Sequence, residues 1–80
     1  MIPLYGFLQG DTIGLLVLAL PGDTAADLCA KLQSAAAVRV KAFANPVAIH
    51  NGRALPSDAT VAELKLGPLD RFDVVAGPQA

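Results

Sequence analysis

Cys29 and His50 are the only cysteine and the only histidine of the chain. As a thiolate–imidazole pair they would need Cys29 to be partly exposed and its pKa depressed. The spacing argues otherwise, because Cys29 stands with Leu28 and Leu32 in an apolar helical stripe, the setting of a core cysteine. His50 precedes Asn51-Gly52 and reads as a solvated hairpin residue rather than a metal ligand. Di-iron chemistry needs several Glu and His ligands on facing helices, and Glu63 and His50 exhaust those two types. A lone cysteine also excludes an internal disulfide and a thiolate-rich zinc site, and fits a reducing cytoplasm. Asp11, Asp23, Asp58 and Asp70 fall at turns or caps, where carboxylates stabilise local backbone. Gly10, Gly14, Gly22 and Gly52 lack the spacing of a phosphate loop, so nucleotide binding has no support. No catalytic residue, cofactor site or metal site is expected on this chain.

What must be positioned is therefore a surface. The 80 residues are 54% hydrophobic and 16% charged, against about 45–50% and about 25% for ordinary soluble domains, which excludes disorder and leaves excess apolar surface to be covered. The net charge of −1 offers no electrostatic footprint for nucleic acid or an anionic membrane. The longest apolar run, Ile13 to Leu20, falls far short of the roughly 20 residues that span a bilayer. With Asp11 before it and no preceding Lys or Arg, that run does not read as a signal peptide. A cytoplasmic location is the expectation.

Ile2–Leu8 and Thr12–Leu20, separated by Gln9-Gly10-Asp11, predict a hairpin. Its second strand carries Ile13, Leu15 and Val17 on one face and Leu16, Leu18 and Leu20 on the other, so both faces are apolar. One helix can cover only one of them, and the other implies a partner or self-association of the isolated chain. Asp23 or Thr24 caps a helix ending near Ala36, with Ala25, Leu28, Cys29, Leu32 and Ala36 as its apolar stripe and Asp27, Lys31 and Gln33 turned away. Val38–Lys41 alternates like a short strand, and Pro46–His50 with Arg53–Leu55 makes a hairpin through Asn51-Gly52. Thr60–Leu64 makes a helical turn stopped by Gly67-Pro68, and Arg71–Ala76 is the last strand. This order is that of an α+β, ubiquitin-like β-grasp domain, a mixed sheet packed by one main helix plus a short helical turn. It spans residues 1–76, with 77–80 as a flexible tail, and its last strand lies centrally beside the first. Leu15, Val17, Leu28, Leu32, Ile49, Leu64, Phe72 and Val74 are the expected core.

Three stretches carry a family resemblance: Ile2-Pro3-Leu4-Tyr5-Gly6-Phe7 to Leu20, Asp23-Thr24 to Leu32, and Ala54-Leu55-Pro56-Ser57-Asp58-Ala59-Thr60-Val61-Ala62-Glu63 to Asp73-Val74-Val75. Together they resemble the small B (gamma) subunits of bacterial toluene and related alkene monooxygenase hydroxylases. The resemblance implies a ubiquitin-like accessory subunit that binds the large di-iron subunit and contributes no iron ligands. The parent complex would insert one oxygen atom of O₂ into an aromatic or alkene substrate, with electrons from a ferredoxin and a flavin reductase. The chain departs from the pattern in Ala35 to Pro46, which is shorter and less basic.

The expected partner interface is the sheet face opposite the helix, with Tyr5, Phe7, Leu16 and Leu18 as apolar anchors and Arg39 and Arg53 nearby at its rim. Arg39, Lys41 and Arg53 also read equally well as a solvated edge that discourages strand pairing. Two alternatives share the fold. A sulfur carrier would end in a narrow Gly-Gly, whereas this tail reads Ala76-Gly77-Pro78-Gln79-Ala80. A stand-alone interaction module would be stable and monodisperse without a large partner.

Overall fold

The structure, a computed structural model, describes residues 1–77. Five strands, β1 (Ile2–Leu8), β2 (Gly14–Ala19), β3 (Pro46–His50), β4 (Arg53–Ala54) and β5 (Arg71–Ala76), form one sheet in the order β2-β1-β5-β3-β4. Helix α1 (Ala25–Ala35) crosses one face, and the single turn α2 (Val61–Leu64) precedes β5. The first and last strands run parallel at the centre, with Gly6 opposite Phe72 and Leu8 opposite Val74. All other pairings are antiparallel. The fold is the ubiquitin-like β-grasp.

Alternation in each strand builds the core. Leu4 and Leu8 of β1, Val17 and Ala19 of β2, Phe72 and Val74 of β5 and Ala48 of β3 all point toward α1 and are buried. They meet the full predicted stripe of Ala25, Leu28, Cys29, Leu32 and Ala36. Close approach of helix and sheet depends on Gly6, where an added Cβ would lie 2.9 Å from Leu32 Cδ1 and 3.0 Å from Phe72 Cζ.

Several expectations are corrected. Ile49 is half-buried on the face away from α1, and Ala48 takes the core position, because β3 enters the sheet one residue out of phase with the expected alternation. Leu15 and Leu64 flank the core without being fully buried. Gln33 is buried, and its Oε1 accepts the Phe43 N–H at 2.6 Å, so this amide fastens the chain after α1 instead of facing solvent. Val38–Lys41 forms turns and a bend, with Val38 88% exposed and the Arg39 and Val40 amides donating to Ala36 O. The α1 end captures this segment before any strand can claim it. Strand β2 starts at Gly14 rather than Thr12. α2 stops at Lys65, whose left-handed φ of 56° closes the turn before Gly67-Pro68 is reached. Of the expected tail, Gly77 donates its N–H to Asn45 O at 2.7 Å and packs on Val47, while residues 78–80 lie outside the described residues.

Candidate partner-binding face

The face away from α1 carries the second apolar set of the hairpin. Cross-strand neighbours share a face, and Tyr5 is opposite Leu16, Pro3 opposite Leu18, and Phe7 opposite Gly14. Leu16 and Leu18 are 56% and 49% exposed and Tyr5 43%, so three large side chains stand uncovered in contiguous positions. Leu20, in phase with Leu16 and Leu18 and also exposed, follows them just past the end of β2.

Phe7 is the most deeply seated of the four expected anchors. Its ring lies over Gly14, where an added Cβ would fall 2.6 Å from ring carbons. The Arg71 guanidinium sits over the same ring, 4.0 Å from its centroid, a cation–π contact. Arg71 Nε in turn donates to Asp73 Oδ1 at 2.9 Å. Parallel pairing accounts for this cluster, because it sets Tyr5 beside Arg71 and Phe7 beside Asp73. The result is a surface of aromatic rings and an arginine beside exposed leucines, of which the Tyr and Arg are side-chain types enriched at binding hot spots.

The structure does not bring the two expected arginines there. Arg39 makes a two-pronged ion pair with Asp11, with Nε and Nη2 each 3.0 Å from one carboxylate oxygen, tying the turns after α1 to the β1–β2 turn. This guanidinium holds the Asp11 carboxyl below its ordinary pKa. Arg53 lies on β4, at the opposite edge of the sheet from β2, and pairs with His50, which alternation puts on the Ala48 side. Arg71 supplies the cation instead. Its position was readable in principle: once Phe72 and Val74 are assigned to the core, alternation sends Arg71 and Asp73 to the other face.

The remaining reactive groups make local contacts. Cys29 is buried, and burial raises its thiol pKa. It borders an apolar groove of about 270 Å³ between α1 and β3, formed with Ala25, Val47 and Leu55. His50 Nδ1 is 2.8 Å from Arg71 O, so Nδ1 carries the proton and Nε2 accepts from Asn51. Asp23 accepts the Leu20 N–H and binds Lys31, and Asp70 accepts the Gly67 N–H. Among the described residues no group of three or more His, Cys, Asp or Glu side chains could hold a metal ion. Among the described residues no helix is long and apolar enough to cross a membrane.

The family model described as toluene-4-monooxygenase system protein B (TmoB) matches residues 1–75. The chain belongs to the TmoB family. Among solved structures, a chain of a toluene 4-monooxygenase HD complex with the inhibitor 4-bromobenzoate superposes with a TM-score of 0.87 at 22% identity, covering 95% of this chain and 98% of that one. A ubiquitin from Caldiarchaeum subterraneum gives 0.76 at 17% identity, over 99% and 96%. ATBAG1 in complex with HSP70 gives 0.77 at 10% identity, over 98% of this chain and 41% of that one. At these identities the structural likenesses establish the ubiquitin-like fold. No curated protein matches the sequence significantly. The family match covers all five strands of this TmoB-family chain except the final residue of β5.

Proposed function

We propose that this TmoB-family chain is a non-catalytic accessory subunit that binds and stabilises the large di-iron subunit of a toluene, other aromatic or alkene monooxygenase hydroxylase. The observation that carries this reading is the family match over residues 1–75. The uncovered side chains of Tyr5, Leu16 and Leu18, with half-buried Phe7 among them, support it, since a stable monomer of this size rarely leaves so contiguous an apolar patch in water. In this reading the large subunit covers the patch, with Phe7 and Leu16 as its anchors and Arg71, held on Phe7, as the polar neighbour. Arg39 and Arg53 lie outside the contact and affect binding little. The cytoplasm, where such a complex would work, suits the free thiol of Cys29.

The test is co-expression with the large di-iron subunit of a toluene monooxygenase hydroxylase. Co-purification and a raised melting temperature of the large subunit are expected, and both should be lost in Phe7→Asp and Leu16→Asp chains whose circular dichroism is unchanged. Normal assembly of both variants would move the interface elsewhere. Failure of the unmutated chain to assemble would overturn the subunit assignment.

A further inference from the structure

Strand β2 is an edge strand whose main chain faces outward in a pattern that matches itself. The direction of each backbone group follows from the bonds around β1. Tyr5 N–H donates to Asp70 O, Leu69 N–H to Pro3 O, and Gln9 N–H to Val74 O, so the odd residues of β1 bond toward β5 and the even ones toward β2. Leu4 and Gly6 therefore exchange bonds with Val17 and Leu15, their register partners. The N–H and C=O groups of Gly14, Leu16 and Leu18 point to the open edge. Two side-chain bonds agree: Lys31 Nζ donates to Leu18 O at 3.0 Å, and the Leu20 N–H, next in the same alternation, donates to Asp23 Oδ2 at 2.9 Å.

Those two bonds occupy the Leu20 N–H and one lone pair of Leu18 O, leaving both groups of Gly14 and Leu16 and the Leu18 N–H for a neighbour, with Leu16 at the middle. We infer that this edge pairs with the β2 edge of a second copy, antiparallel, about a two-fold axis through Leu16. In that register Leu16 exchanges both bonds with its counterpart, and Gly14 of each chain does so with Leu18 of the other, Leu18 O using its second lone pair. All three open residues are then satisfied. A register centred on Val17 would instead need the Leu20 N–H, which Asp23 already holds. The side chains fit the same axis, because Leu16 meets Leu16, and Leu18 falls over the bare Gly14 beside the ring of Phe7.

Charge does not oppose the approach. Lys31 and Asp23, the charged side chains that bond to this edge, are bound to each other. The open residues include no Pro, Lys or Glu, the usual guards of an exposed edge. The inference does not depend on the hydroxylase reading, since edge pairing engages the strand side of β2 and the hydroxylase reading concerns the face.

The experiment is sedimentation equilibrium and amide hydrogen exchange on the full 80-residue chain. At about 100 µM, enough to saturate a micromolar contact, a dimer is expected, with the Gly14, Leu16 and Leu18 amides more protected as concentration rises. Leu16→Pro removes an N–H that the monomer does not use, as edge positions tolerate, and should weaken the dimer at least about tenfold with unchanged circular dichroism. Val75→Lys, on the outer face two strands away, should change it by less than about twofold. A monomer at this concentration, unprotected β2 amides, or a Val75→Lys effect equal to that of Leu16→Pro would overturn the pairing. The exchange measurement decides on the unmutated chain even where Leu16→Pro does not fold.

Discussion

Thr24 and Thr60, the N-caps of α1 and α2, form a β-bridge with each other, so the two helix starts are one joint. Each belongs to a capping box: Thr24 Oγ1 accepts the Asp27 N–H while Asp27 accepts the Thr24 N–H, and Thr60 and Glu63 repeat the exchange. Across the bridge Ala25 N–H donates to Ala59 O and Val61 N–H to Asp23 O. Ala26 and Ala62 donate to Ser57 O and Pro21 O. The first three amides of both helices are thus paired, although helix geometry leaves them without internal acceptors.

Thr24→Ala and Thr60→Ala should each cost about 1 kcal/mol, the usual effect of losing an N-cap hydroxyl. Because the caps share a joint, the double variant should depart from the sum by about 0.5 kcal/mol or more, in urea unfolding monitored by circular dichroism. Strict additivity would mean that the bridge does not couple the two helices.

Leu28 and Leu32 are fully buried, and replacement of either by Ala should cost about 2–5 kcal/mol. Ile49→Ala should cost distinctly less, because Ile49 is half-buried on the outer face. Equal losses at Ile49 and Leu28 in denaturant titrations would contradict the phase of β3.

Gly6 and Gly14 should respond differently to Ala. At Gly6 the new methyl meets Leu32 and Phe72 inside the core, and an overpacking cost of about 1–3 kcal/mol is expected. At Gly14 it meets the ring of half-buried Phe7, which can swing outward. That variant should keep near-normal stability while the Phe7 ring loses its contact with Arg71, seen as changed aromatic proton shifts. An unshifted ring would show that Gly14 does not seat Phe7.

Acid should destabilise the fold through three carboxyls. The Arg39 side chain lowers the pKa of Asp11, the Leu20 amide and then Lys31 lower that of Asp23, and the Thr60 bonds lower that of Glu63. The unfolded chain therefore binds more protons than the folded one at acidic pH. Their contribution is complete above the unfolded values near about 4 and is lost as pH falls through the folded values. The melting temperature should drop below about pH 4, and Asp11→Asn should flatten part of that slope. An unchanged slope would mean that the Asp11–Arg39 pair adds nothing.

By itself the sequence determined the elements whose signals are local. Thr24 and Thr60 mark helix starts, Asn51-Gly52 takes positive φ in its hairpin, and the stripe from Ala25 to Ala36 is buried as its spacing required. It also determined that β2 is apolar on both faces, which no single helix could cover. Tertiary structure decided what depends on chain segments far apart. The phase of β3 follows from its pairing with β5, which turned Ile49 outward. Arg39 went to Asp11, 28 residues away, where a two-pronged ion pair was within reach. The cation beside Phe7 became Arg71, because only parallel pairing of the first and last strands brings residue 71 next to residue 5. Residues distant in sequence meet through the register of the sheet, and local patterns do not encode that register.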